Sequence, residues 1–399
     1  MNAAHLSAAN ARPAQLRKVA INHKVAKANH DIERLLNVAV RNKDRILQAM
    51  GLPGRKANYD DEHYEFVGGA MDDLRKKHYD KSLRLLWKGE QHAQWSSFRD
   101  CTAEEKMLMS MADKASDDED RKIRKKLSSK EYRDFLKATY SERERQAIVN
   151  ILSIIGHGEA YAWLVSAELL NEVHSTGGRA ALTMQVMEEA KHFVVLRELL
   201  YAFDVPIPRM NAYEYLWLEW IFKSKGTEKF FGMNVQVETI ALSLFGLMST
   251  MPGLDVLKLF HRDEARHTAL PGNYLKEFPL TWWEKYSPVR QAARLRMILP
   301  ALGLLLYVEE DLAEIGVDVF EFGGSMLRKL NTLAGRTGFL GSINPDLLMP
   351  FVNTLFNAYC RATREDFTER DFTLAETTGG EEELALEREI FRDLGVATA

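Results

Sequence analysis

Glu188-Glu189-Ala190-Lys191-His192 and Asp263-Glu264-Ala265-Arg266-His267 are one five-residue phrase written twice: acid, Glu, Ala, base, His. Apolar residues flank both copies. Met184, Val186 and Met187 precede the first, and Phe193, Val194 and Val195 follow it; Leu257, Leu259 and Phe260 precede the second, and Ala269 and Leu270 follow it. Such flanks without strict alternation predict a helix for each copy. With 35 Glu and 11 His in 399 residues, about one Glu-x-x-His is expected at random, so the two that occur are weak evidence by spacing alone. Agreement in all five chemical classes is what singles them out. On a helix, positions i and i+3 share a face. Glu189 with His192, and Glu264 with His267, can therefore reach one ion together. Burying these carboxylates among Leu, Val and Phe costs several kcal/mol unless a metal or a partner neutralises each.

Two further carboxylates are needed to complete such a site. Glu238 lies in the apolar stretch 235–242, and its distance before Thr250 nearly equals the distance of Glu264 after Gly253. In a helical hairpin they stand at the same height, which makes Glu238 a candidate bridging carboxylate, with Glu228 as the fallback. For the remaining position, Glu159 and Glu168 both precede Glu189 within the helical stretch before the turn at 175–178. The two are nine apart, about 900° around a helix, so they face opposite ways and only one can face a metal. The turn puts the matching height near residue 164, between them, so register leaves both open. Glu159 follows Gly156-His157-Gly158, where small residues would let a neighbour approach. Glu188 and Asp263 suit a different task. A metal-bound imidazole usually passes its other N–H to a carboxylate, most simply across the pair: Asp263 to His192 and Glu188 to His267. The alternative is ordinary pairing of these acids with Lys191 and Arg266.

The rest of the chain reads as helix almost throughout, over roughly 12–50, 58–98, 102–114, 129–174, 179–203, 212–249, 253–277, 281–314, 317–336 and 346–370. Ser175-Thr176-Gly177-Gly178, 204–208 and Met251-Pro252-Gly253 punctuate it. An all-α fold is expected, divided as 1–128, an N-terminal helical extension; 129–278, the metal-binding helices; 279–370, helices packing on them; and 371–399, an acidic tail with a hinge at 379–383. A net charge of −4 argues against nucleic-acid binding. The longest apolar run, 297–308, falls short of the ~20 residues a membrane-spanning helix needs. Only two cysteines, Cys101 and Cys360, are present. That excludes a disulfide framework or a cysteine-rich metal site and points to a reducing, cytoplasmic setting.

Charge is uneven. Residues 1–50 hold nine Lys/Arg against three acids, and 121–146 hold ten against four, whereas 371–399 hold eight acids against two Arg. Solvated faces account for most such runs; docking of a small acidic electron carrier is the functional alternative. His157 and His174 read as ordinary helix histidines.

The set Glu159, Glu189-x-x-His192, Glu238, Glu264-x-x-His267 resembles the ferritin-like di-iron carboxylate superfamily. It looks most like the oxygenase branch, with its multicomponent hydroxylases and p-aminobenzoate-type N-oxygenases. The resemblance covers roughly 145–275. It implies a four-helix metal-binding bundle with flanking helices, two iron ions (or manganese) and O₂ as co-substrate. The implied activity is oxidation of a small, largely apolar organic substrate by hydroxylation, N-oxygenation or desaturation. A ferroxidase or peroxide-scavenging protein without an organic substrate is the alternative. A small electron-transfer protein and a second copy of the chain, as a homodimer, are the expected partners. In that superfamily the first Glu commonly lies about thirty positions before the first motif, which favours Glu159. The gap from Glu238 to Glu264 is shorter than usual by about one turn. The N-oxygenases carry a third histidine four positions before the second motif Glu. Here that position is Phe260, and His261 follows it, as an added ligand or as a histidine that only packs or hydrogen bonds. A radical-generating ribonucleotide reductase subunit is disfavoured, because Leu196 stands where its tyrosine is expected. The chain extends well beyond a minimal bundle on both sides. Its added aromatic and aliphatic material, Trp217, Trp220, Phe222, Trp282, Trp283 and the 297–308 run, supplies candidate walls of an apolar pocket.

Overall fold

A computed structural model describes residues 19–50, 126–174 and 176–396. The helices expected over 58–98 and 102–114, the start of the one expected over 12–50, and Cys101 lie outside the described residues. Every regular element among the described residues is helical. In chain order these are α1 (His23–Ala49), α2 (Lys130–Thr139), α3 (Glu142–Leu169), α4 (Thr176–Ala202), α5 (Ala212–Lys223), α6 (Thr227–Met248), α7 (Leu257–Glu277), α8 (Trp282–Tyr286), α9 (Pro288–Tyr307), α10 (Glu309–Glu314), α11 (Val319–Thr337), α12 (Pro345–Thr363) and α13 (Glu381–Asp393).

Local chemistry sets the breaks. Ser141 and Glu144 form a reciprocal capping box that starts α3 and separates it from α2, where a single helix over 129–174 was expected. Asn211 and Glu214 do the same for α5. Ser287 followed by Pro288 splits the expected 281–314 helix, with proline at the first turn, where its missing N–H costs nothing.

Helix α3 packs along α4, and α6 along α7, as two hairpins; α4 also meets α7, and α3 meets the first half of α6. Within α6 the segment Phe231–Val237 widens to a π-helix immediately before Glu238. Such wide turns concentrate at functional sites.

Two apolar cores lie on either side of the acidic positions along these helices. On α3, Ile155 belongs to one core and Tyr161 to the other, with Glu159 between. On α7, Phe260 and Ala269 bracket Glu264 in the same way. Each fully buried Leu or Phe contributes roughly 1.5–3 kcal/mol, and these cores offset the cost of the charge between them. Helices α3 and α6 are long and apolar enough, by length and composition alone, to cross a membrane; both are mostly buried inside the molecule. They exceed what the 297–308 run suggested, because isolated polar residues end an unbroken apolar run but lower the mean hydropathy of a long helix only slightly.

The flanking helices close over this centre. Helix α10 packs on α3, and α11 on α6 and α7. In the acidic segment, the short terminal helix expected after the hinge at 379–383 is present as α13, and it packs back on the molecule. Helix α13 packs on α7, with Phe391 and Val396 buried. Lys258 pairs with Glu382 and Glu383, and Lys329 with Glu387. Gly246 permits this closure: a Cβ there would strike the Thr378 carbonyl and stand 2.9 Å from His261 Nδ1.

Candidate metal centre

All six residues of the expected ligand set converge in one buried cluster. Glu159, Glu189, His192 and Glu264 form one group and Glu189, Glu238, Glu264 and His267 a second. Within each group one ligand-type atom per residue lies within 4.8 Å of the others, so each group could hold a metal ion.

The two groups share Glu189 and Glu264, and each of these carboxylates divides its oxygens between them. His192 Nδ1 stands 3.6 Å from Glu189 Oε2 and 3.0 Å from Glu264 Oε1. His267 Nδ1 stands 3.1 Å from Glu189 Oε1 and 3.0 Å from Glu264 Oε2. Glu159 belongs to the His192 side alone, with Oε2 3.5 Å from Nδ1, and Glu238 to the His267 side alone, with Oε2 3.9 Å from Nδ1. Glu189 and Glu264 are therefore the carboxylates that the two groups share. Glu238, expected to bridge, belongs to one group only. Equal height placed it in the cluster, but lateral offset between helices decides which carboxylate lies between the two groups.

The outer acids pair crosswise, as their spacing suggested. His192 Nε2 meets Asp263 Oδ2 at 3.3 Å, and His267 Nε2 meets Glu188 Oε2 at 2.9 Å. Both imidazoles thus aim Nδ1 at the cluster. The alternative pairing coexists: Arg266 donates to Glu188 and Asp263 at 2.7 and 2.5 Å, and Lys191 lies 3.9 Å from Asp263.

The other candidates lie elsewhere. Glu168 pairs with the buried Lys229. Glu228 pairs with Arg290 and Arg294. His261 is outside the cluster: Nδ1 meets the Leu242 carbonyl at 2.9 Å, and Nε2 meets the Glu383 carbonyl at 3.1 Å. Three positions before and three after Glu264 lie about 60° to opposite sides of it, so with His267 facing the cluster the His261 ring faces α6 and α13 instead. Phe260 stacks on His192 with ring centroids 4.4 Å apart. His157, as expected, is an ordinary buried histidine whose Nδ1 meets Glu214 at 2.8 Å. Among the described residues, nothing lies within 4 Å of where a Cβ at the buried Gly158 would stand. Of the expected pocket walls, Trp217 is core and donates to Gln236, while Trp282 and Trp283 are exposed.

Two residues were missed. Gln185 donates from Nε2 to Glu238 Oε1 at 2.7 Å and to Glu189 Oε1 at 3.1 Å. Asn234, in the π-helical segment, donates from Nδ2 to Gln185 Oε1 at 2.9 Å and to the His267 carbonyl at 3.1 Å. Each lies four positions before a cluster Glu, a repeated spacing that would have found them.

Electrostatics follow from burial. Desolvation pushes the Glu159 and Glu238 carboxyls well above the usual range, helped by the charges of Glu189 and Glu264. Burial opposes ionisation of Glu189 and Glu264 too, but the two histidines hold both below the ordinary value. Burial also opposes charge on His192 and His267, and the surrounding carboxylates outweigh it, raising both well above the usual histidine value. Without a metal, protons therefore supply the positive charge this cluster requires. The residues fit a metal on a second ground. Glu189 Oε2, His192 Nδ1 and Glu264 Oε1 are buried and make no hydrogen bond. Natively buried polar atoms are rarely left so. No protein-family model, curated protein or solved structure matches the chain.

Proposed function

We propose that the protein is a di-iron oxidoreductase of the monooxygenase type, built on a ferritin-like arrangement of α3, α4, α6 and α7. It uses O₂ to oxidise a small, largely apolar organic molecule. The observation that carries this reading is the buried pair of donor groups sharing Glu189 and Glu264, with three atoms of the His192 group left without a hydrogen bond. Four carboxylates and two imidazoles suit iron, with manganese the alternative, better than a thiolate-seeking metal. Bound there, the iron pair would supply the binding and reduction of O₂.

The chain's own residues prepare that chemistry. Glu189 and Glu264, shared by both groups, would help hold each of two cations; Glu159 and Glu238 would serve one group each. Asp263 and Glu188 accept the Nε2–H of His192 and His267, which fixes the tautomer with a lone pair on Nδ1 facing inward. Phe260 and Phe245 cover His192 and keep water from that side.

Elemental analysis after iron-supplied expression should give about two irons per chain, the number such bundles hold. The reduced protein should consume O₂ faster when a suitable organic substrate is added. A single tetrahedral zinc, or no metal, would overturn the reading. Iron oxidation into a mineral core with no response to any organic compound would replace it with iron storage.

A further inference from the structure

The two halves of the cluster are not in the same condition. On the His192 side, Glu189 Oε2, His192 Nδ1 and Glu264 Oε1 make no hydrogen bond. On the His267 side two carboxylate oxygens are engaged. Glu189 Oε1 and Glu238 Oε1 both accept from Gln185 Nε2, whereas the histidine–Glu264 separation is 3.0 Å on both sides.

The Gln185 amide is held in this orientation by a chain that ends on main-chain carbonyl. The His267 carbonyl can only accept, so the Asn234 amide must present Nδ2 to it. The same Nδ2 donates to Gln185 Oε1, which leaves Gln185 Nε2 facing the two carboxylates. Both amides are buried, Gln185 at 1% and Asn234 at 0% exposure. Gln185 thus links two oxygens that a cation on the His267 side would need.

We propose that Gln185 is a positioning residue that makes the two cation positions unequal. The His192 side is open and fills first. The His267 side fills only as the Gln185 amide leaves Glu189 and Glu238. This inference rests on reading the cluster as a two-cation site. Its consequence is ordered loading: a chain short of metal would carry one ion beside His192 and a Gln185-capped half beside His267.

The test is titration of the metal-free full chain with Mn(II), following heat and free Mn(II) by electron paramagnetic resonance. The wild type should bind in two steps. Glu159→Ala should remove the tighter and Glu238→Ala the weaker. Gln185→Leu removes the competing amide without adding charge. Hydrogen bonds to charged groups are strong enough that the weaker step should tighten by about tenfold or more. Asn234→Ala keeps Gln185 but frees its oxygen, and should produce the same change to a smaller degree; it serves if Gln185→Leu does not fold. Two equal steps in the wild type, or a weaker second step in Gln185→Leu, would overturn the inference while leaving the two-cation reading intact. No uptake of Mn(II) at all would overturn both.

Discussion

Two clusters of buried carboxylates occupy this fold, and they solve the same problem in opposite ways. Around Asp318, each acid meets a guanidinium. Arg364 donates to Asp318 at 2.7 Å and to Glu309 at 3.3 Å, and Arg370 donates to Asp318 at 2.8 Å. Asp318 is held below its ordinary pKa because these arginines, with the Phe320 amide it caps, outweigh its burial. In the cluster between α3, α4, α6 and α7, no lysine or arginine among the described residues pairs with Glu159, Glu189, Glu238 or Glu264. Arg266 and Lys191 reach only the outer acids. Counting buried acids would rank both alike. What separates a candidate ligand site from a structural ion-pair network is whether the protein supplies the cations itself. Around Asp318 it does. Around Glu189 and Glu264 it leaves that role to protons or to metal.

Exchanging one residue in each cluster tests the distinction. Glu264→Ala removes an oxygen from both donor groups at once, so metal content should fall from about two ions per chain to near none, read by elemental analysis on folded protein. Retention of one full ion would mean that the groups do not share this carboxylate. Arg364→Met should leave metal content per folded chain unchanged. It strands Asp318 and Glu309 without their main cation, and breaking a buried pair on one side costs about 3–5 kcal/mol. Denaturant unfolding should show that loss. A near-neutral Arg364→Met would place Asp318 among groups that solvent or Arg370 satisfies alone.

Much of this contrast was legible along the chain. The doubled Glu-x-x-His, its crosswise outer acids and the level shared by Glu238 and Glu264 all follow from helical spacing and hairpin register. The cap signatures at Ser141-x-x-Glu144 and Ser287-Pro288 were equally present, and they break helices that apolar periodicity runs together. What periodicity does not contain is lateral position. It places Glu238 at the right height but not at the edge of the cluster. It gives His261 the same spacing from Glu264 as a ligand would need, but not the helix α13 that claims its ring. Register left Glu159 and Glu168 open and the resembled spacing favoured Glu159; Lys229, which holds Glu168 elsewhere, is distant along the chain and leaves no local signal.

Asp311 on α10 sits between the two regimes and sharpens the comparison at its smallest scale. It is half-buried, accepts from Asn150 Nδ2 at 3.0 Å, and has Glu310 and Glu314 as charged neighbours, with Arg143 opposing them. Burial and those acids raise its pKa to about 7. A carboxyl whose pKa is higher folded than unfolded favours the fold while it is protonated. That contribution is whole below the unfolded value of 3.8 and fades as pH rises to about 7. Asp311→Asn keeps the shape and removes the ionisation. The variant and the wild type should match near pH 4, and the variant should gain as pH rises. After discounting for partial exposure, the difference should level off at about 1–2 kcal/mol above pH 7. Thermal unfolding of both proteins across this range measures the difference directly. A constant offset at every pH would show that Asp311 titrates alike in the folded and unfolded chain, and a slope of the opposite sign that its charge is satisfied as that of Asp318 is. A slope of the expected sign would show that an acid with neither a guanidinium nor a metal is tolerated here only while it keeps its proton.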